Sequence, residues 1–252
     1  MSNFKVKTIL VSQPEPKVEN SPYFDLQQKH KVKVDFRSFI HIEGVSAKDI
    51  RAQKIDLNNF TAIILTSKNA VDHFFRVAEE MRYKVPEDLR YFCQSEAIAF
   101  YLQKYVVYRK RKIYVGQKDF ADMSSLFKKY KDEKYILPAS DQLNADAPNT
   151  LNNLKINWTP AVFYKTVMSD LSDLANVYYD ILAFFSPTGI KSLFKNFPDF
   201  KQNETRIAVF GSTTQKEAIE HGLRIDILAP TPETPSMTMA LEKYVAEANK
   251  GK

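Results

Sequence analysis

The chain has 252 residues, 44% of them apolar and 26% charged, with a net charge of +6 and a pI near 9.1. That balance excludes a disordered or fibrous protein, and the length is comfortable for two domains. The single cysteine, Cys93, excludes an internal disulfide framework and predicts a cytoplasmic protein. No apolar run approaches the roughly 20 residues of a membrane helix. The basic opening MSNFKVKTILVS passes straight into a strand pattern and reads as mature protein.

Lys7–Ser12 is the first predicted strand, and Gln13-Pro14-Glu15-Pro16 ends it. Ser21-Pro22-Tyr23-Phe24 reads as an N-cap with proline in the first turn, opening a helix to about Lys29. Val32, Val34, Phe36, Ile40 and Ile42 keep one parity and predict a single long extended segment. It is too long for one small sheet, so part of it is expected to bridge between domains.

From Gly44 onward, predicted strands alternate with predicted helices. The strands are Ala62–Leu65, Tyr91–Cys93, Lys112–Val115, Tyr135–Leu137 and Pro160–Tyr164. The helices are Asn69–Met81, Glu96–Lys104, Phe120–Tyr130 and Thr150–Leu154, with turns at Val85-Pro86 and Ala147-Pro148. Such alternation gives a parallel sheet covered on both faces. Ala161–Val167 is a second extended segment, expected to run back beside Phe36–Ile42. Domain one is then split into residues 1–38 and 168–252, with domain two, residues 39–167, inserted and linker segments at 36–42 and 161–167. The later strands of domain one are Ile181–Phe185, Arg206–Phe210 and Arg224–Leu228.

One unit occurs twice. Ala62–Leu65 leads into Thr66-Ser67-Lys68-Asn69 and then Val71, Phe74, Phe75 and Ala78 at helical spacing. Ile181–Phe185 leads into Ser186-Pro187-Thr188-Gly189 and then Ile190, Leu193, Phe194 and Phe197. Ser67 and Ser186, Val71 and Ile190, Phe74 and Leu193, and Phe75 and Phe194 are each 119 residues apart. Further units align as well. Tyr91–Ser95 before Glu96 matches Arg206–Gly211 before Ser212-Thr213-Thr214 and the helix Glu217–His221. Gly116-Gln117-Lys118-Asp119 matches Ala229–Pro235, which precedes the helix Ser236–Val245. A fixed offset across turn and helix together points to an internal duplication.

Ligands of open α/β sheets lie outside the carboxyl ends of the strands. That rule places Thr66, Ser67, Lys68, Asn69, Ser95, Ser186, Thr188, Gly189, Gly211, Thr213, Thr214 and Ser236 on two rims expected to border one cleft. Hydroxyls and helix N-termini suit carboxylates or phosphates. Taken singly, each Ser or Thr reads first as an N-cap; taken as a set, they point to a shared anion-binding cleft. The charge fits a small polyanion as well as nucleic acid, and no nucleic-acid motif appears. The densest basic run, Arg109-Lys110-Arg111-Lys112, reads as a solvated turn before a strand.

Familiar catalytic patterns are missing from the sequence. His30, His41, His73 and His221 lack metal-ligand spacing. There is no phosphate-binding glycine loop, with only 6 Gly in the chain, and no nucleophile elbow. Cys93 reads as core. Neither metal nor cofactor is expected, so the chemistry has to come from positioning and one weak acid. Tyr164, in the return segment, is the candidate acid; one packing tyrosine among 13 is the competing reading.

Taken in order, the stretches Ser21-Pro22-Tyr23, Ile64–Val71, Val162–Thr166, Phe184–Gly189, Gly211–Thr214 with Gly222-Leu223, and Pro230-Thr231-Pro232 resemble the uroporphyrinogen-III synthase family over nearly the whole chain. The resemblance implies an α/β fold of two similar parallel-sheet, flavodoxin-like domains joined by a two-stranded antiparallel linker, with the active site between them. It implies closure of hydroxymethylbilane, a linear tetrapyrrole rich in carboxylates, to uroporphyrinogen III, with loss of water and inversion of ring D. No cofactor or metal is implied, and no nucleic-acid or membrane partner; a monomer is expected. Tyr164 matches the family tyrosine that assists hydroxyl departure, and Thr66, Ser67, Ser186, Thr213 and Thr214 match its carboxylate-binding turns. Two positions depart from the pattern: Ile98 stands where a hydroxyl is usual, and Gln13 where many relatives carry Arg. The alternative function is a two-lobed module that binds a small anion without catalysis.

Overall fold

The computed structural model describes residues 5–18, 20–117 and 119–250. The first four residues of the opening segment and Lys118 of the predicted turn lie outside these. Along the chain run β1 (Thr8–Val11), α1 (Pro22–His30), β2 (Lys33–Phe36), β3 (Ile40–Gly44), α2 (Ala47–Ala52), β4 (Ala62–Leu65) and α3 (Lys68–Glu80). There follow β5 (Arg90–Cys93), α4 (Glu96–Leu102), β6 (Ile113–Val115), α5 (Ser124–Lys129), β7 (Tyr135–Ser140), α6 (Asp146–Asn153) and β8 (Trp158–Met168). The last elements are β9 (Ile181–Phe184), α7 (Pro187–Asn196), β10 (Arg206–Phe210), α8 (Ser212–Glu220), β11 (Ile225–Ala229) and α9 (Met237–Asn249). The described residues form two compact units: unit 1 runs up to His41 and resumes at Val167, and unit 2 runs from Ile42 to Thr166.

Unit 1 holds a five-stranded sheet in the order β2-β1-β9-β10-β11, parallel throughout. Its central strands β1 and β9 read as apolar runs because both faces are covered. Ile9, Val11, Ile181 and Ala183 pack under α1 and α9 through Leu26, Leu241 and Val245. Leu10, Leu182, Phe184 and Val209 pack on the other face with Ile190, Leu193 and Ala218 of α7 and α8.

Unit 2 holds a six-stranded sheet in the order β3-β8-β7-β4-β5-β6, with β8 through β6 parallel. Ile63 and Leu65 face α3 and α4, where Val71, Phe74, Val77 and Leu102 are buried. Ala62 and Ile64 face Phe120, Met123, Phe127 and Leu151. Without β3, this sheet has the same layout as the first: β8-β7-β4-β5-β6 corresponds to β2-β1-β9-β10-β11. Both have the 2-1-3-4-5 strand order of flavodoxin-like sheets, entered at different strands. In unit 1 the chain starts at the β1–β2 pair; in unit 2 it reaches the equivalent pair last. The 119-residue offset therefore relates two copies of one topology, β4–α3 to β9–α7.

Two expectations need correction. Ala147-Pro148 does not mark a turn: both residues lie in the first turn of α6, where proline's missing N–H costs nothing. The long extended segment is broken at residues 37–39, so Phe36 pairs with Val11 in unit 1 while Ile40 begins β3 at the edge of the other sheet. Phe39 causes the break. It lies off the parity of Val32, Val34 and Phe36, yet only 1% of it is exposed and it packs edge-on against Phe184 at 5.5 Å. Its carbonyl accepts from Ser169 N and Ser192 Oγ, and Arg37 beside it pairs with Asp173. Ile42, on the expected apolar face, is exposed.

Candidate active site

In a sheet of this order, ligands sit where the connections diverge to opposite faces, outside the carboxyl ends of the strands. In unit 2 that point lies between β4 and β7, and in unit 1 between β9 and β1. The residues at the carboxyl ends of these four strands are Thr66-Ser67, Ser140-Asp141, Phe185-Ser186 and Ser12.

In unit 2, β4 ends at Leu65, and Ser67 turns the chain into α3. Its backbone is extended, and Ser67 Oγ accepts from Ala70 N at 3.0 Å, the N-cap bond expected of serine here. The same Oγ lies 3.2 Å from the Tyr164 hydroxyl. Tyr164 is on β8, 7% exposed, and its ring stacks on His73 of α3 with centroids 5.1 Å apart and planes 19° apart. The phenol thus lies against the first turns of α3, not out in solvent. Ser140 and Asp141 border the same place: Asp141 N donates to Tyr164 O at 3.2 Å, and Thr166 N donates to Asp141 Oδ1 at 3.1 Å. Thr66 is half-buried; Lys68 and Asn69 are exposed in the first turn of α3. Lys68 Nζ sits 5.3 Å above the Tyr101 ring. Ser95 is the N-cap of α4, where its carbonyl accepts from Ile98 N and Ala99 N and its side chain makes no cap bond. Ile98, the residue that departs from the family pattern, is buried in the core.

Unit 1 repeats the arrangement, with no phenol bonded to its capping serine among the described residues. Ser186 Oγ accepts from Gly189 N at 3.2 Å, the counterpart of Ser67 and Ala70. Thr188 is half-buried, and Gly189 is buried near Ser12 Oγ. Gly211 precedes α8 with φ 84° and ψ 153°, a conformation reserved for glycine. Thr213 in the next turn is exposed, whereas Thr214 is 1% exposed. Ser236 caps α9, accepting from Met239 N at 3.2 Å.

Ser67, Ser186 and Ser236 are therefore helix caps, as their single-residue reading has it, and the helix starts they close leave amide N–H groups at each sheet's carboxyl edge. Ser12, Ser140 and Asp141 were missed by sequence reasoning, because only the strand order brings β1 and β7 beside β9 and β4. Cys93 is core, its thiol pushed up to about 12 by burial. The basic run 109–112 is a turn before β6. Among the described residues, no group of three or more His, Cys, Asp or Glu is placed to hold a metal, and no helix is long and apolar enough to cross a membrane.

Two compact units, each built on a largely parallel sheet of one strand order covered by helices, define a two-domain α/β protein. The family model described as uroporphyrinogen-III synthase HemD matches residues 23–239, and the chain belongs to that family. Its function is closure of hydroxymethylbilane to uroporphyrinogen III in haem biosynthesis, with loss of water and inversion of ring D. A solved uroporphyrinogen-III synthetase from Helicobacter pylori 26695 is similar with a TM-score of 0.60 and 17% identity, over 96% of this chain and 99% of that one. A mutant uroporphyrinogen III synthase from the extremely thermophilic bacterium Thermus thermophilus is similar with a TM-score of 0.52 and 13% identity, over 96% and 98%. At these identities the likeness is one of fold. No curated protein matches the chain by sequence.

Proposed function

We propose that this chain performs the family reaction by gripping the substrate's carboxylates at the helix starts of both units while Tyr164 assists departure of the hydroxyl. The contact that carries the reading is Tyr164 OH to Ser67 Oγ, 3.2 Å, at the carboxyl edge of the unit 2 sheet. Ser67 Oγ already accepts the Ala70 amide, so its own proton is available to the phenol oxygen. With Ser67 as the donor of this pair, the phenol proton is free for the substrate. It leaves with the hydroxyl as water, and the azafulvene cation remains. Closure at ring D later releases one pyrrole proton, which restores the phenol. The remaining work is orientation: holding the chain so that ring D closes in the inverted sense.

The carboxylate-binding set is Thr66, Ser67, Lys68, Asn69 and Ser95 in unit 2, and Ser186, Thr188, Gly189, Gly211, Thr213, Thr214 and Ser236 in unit 1. For most of these the donor is the backbone amide of a helix's first turn, where the helix dipole favours an anion. Thr214 contributes through its amide, since its side chain is buried. A net charge of +6 favours the polyanionic substrate over the bulk. The enzyme is proposed to act as a cytoplasmic monomer in domains of about residues 1–38 with 168–252 and 39–167, without a nucleic-acid partner.

The test is to supply freshly made hydroxymethylbilane and separate the isomers formed. Type III product is expected. Type I alone, as forms without enzyme, would sink the proposal.

A further inference from the structure

We infer that His73, held by Arg76, is the residue that positions the Tyr164 phenol; this rests on the reading of Tyr164 as the acid. Two side chains of the α3 region converge on one ring. Ser67 meets the hydroxyl at 3.2 Å, and His73 covers one face of the ring at 5.1 Å between centroids. Together they fix both the plane of the phenol and the direction of its oxygen. A general acid works only when its proton is in reach along a defined line.

His73 is itself held. Arg76 Nε donates to His73 Nδ1 at 3.1 Å, so Nδ1 carries the lone pair and the neutral ring carries its proton on Nε2. The same guanidinium donates to Val45 O at 2.8 Å and to Phe163 O at 3.2 Å, the carbonyl immediately before Tyr164, and pairs with Glu80. Arg76 therefore joins the imidazole to the strand that bears the phenol. Gly44 makes room for it: a Cβ there would stand 2.7 Å from Arg76 Cζ. That guanidinium has too many fixed partners to swing aside freely.

The charge on His73 matters as much as its place. An imidazolium would turn a second donor toward the Arg76 N–H and set a cation against a cation. Burial and then Arg76 hold His73 below its ordinary value, against the opposing pull of Asp72 and Glu80. The ring facing Tyr164 is thereby kept neutral and in one tautomer.

The test compares kcat and KM for type III formation in the wild type, Tyr164→Phe, His73→Phe, Gly44→Ala and the double variant His73→Phe with Tyr164→Phe. His73→Phe keeps an aromatic face but removes the acceptor of Arg76 Nε. It is expected to lower kcat roughly tenfold at constant KM. In the Tyr164→Phe background the same change should move kcat less than about twofold, because a positioning residue has nothing left to position. Gly44→Ala, which touches neither ring, should reproduce the kcat loss by displacing Arg76. With 3-fluorotyrosine at position 164, its ¹⁹F resonance should shift on Gly44→Ala. Equal losses in both backgrounds, or an unmoved resonance, would overturn the positioning role while leaving Tyr164 as the acid. An unchanged rate in Tyr164→Phe would instead remove the acid, and the inference with it.

Discussion

Ser67 Oγ lies 3.2 Å from the Tyr164 hydroxyl and 3.0 Å from Ala70 N, so one oxygen serves both a helix and a phenol. The two roles can be separated. Ser67→Ala should cost about 1 kcal/mol of stability through the lost cap, and Ser67→Gly only a few tenths. Both should slow turnover alike, since both lose the hydroxyl. Denaturant unfolding beside rate measurements checks this; a Gly variant with wild-type kcat would release Ser67 from any part in the chemistry.

Ser186 is the counterpart without a phenol. Its loss should act on substrate binding more than on rate. Ser186→Gly is expected to raise KM roughly tenfold, the worth of one hydrogen bond to a charged group, with kcat retained. Titration of initial rates against substrate concentration decides it, and a fall in kcat alone would count against a binding role.

Gly211 has φ 84° and ψ 153°, and a Cβ added there meets nothing within 4 Å. Space is therefore not the issue; backbone conformation is. Gly211→Ala should destabilise by about 1–3 kcal/mol. Urea unfolding of the full chain reads it directly. A neutral result would mean the turn before α8 readily adopts another conformation.

Acid should weaken the protein through His73. The folded-state pKa lies below the ordinary 6.5, through burial first and Arg76 second. Below that ordinary value the unfolded chain takes up a proton that the folded state refuses. Stability is thus undiminished above 6.5 and falls as pH drops from there through the folded-state pKa. In His73→Phe this part of the acid loss should vanish, which melting temperatures between about pH 7.5 and 5 will show.

Much of the fold could be read from the residues, because most strands are buried on both faces and most helices carry Ser caps and a clear 3.6-residue period. Ala62–Leu65 and Ser67 are examples. Phe39 escaped because it breaks the period of two that its neighbours keep, and its burial comes from Phe184, 145 positions further on. The start of α6 is hidden in the sequence because proline signals a break unless the helix start is already known. At the site, Ser67 and Tyr164 were each picked out singly. Their contact was not, since it depends on β8 running beside β7 and β7 beside β4. His73 looked like a histidine without a motif; it matters through what it touches.

The shared strand order, entered at different strands, sets a schedule for synthesis. All of unit 2 lies between residues 42 and 166, so it can fold as soon as that stretch has left the ribosome. Unit 1 cannot. Its opening strand pairs with one that begins at Ile181, and Thr8 must wait for Asp180 to supply the carboxylate it hydrogen-bonds, 172 positions away. β1 and β2 are therefore made early and left with an open edge until the last third of the polypeptide arrives. A nascent chain halted when residue 166 has cleared the exit tunnel but Ile181 has not should already protect the amides of β4 and β7 while leaving those of β1 exposed to exchange.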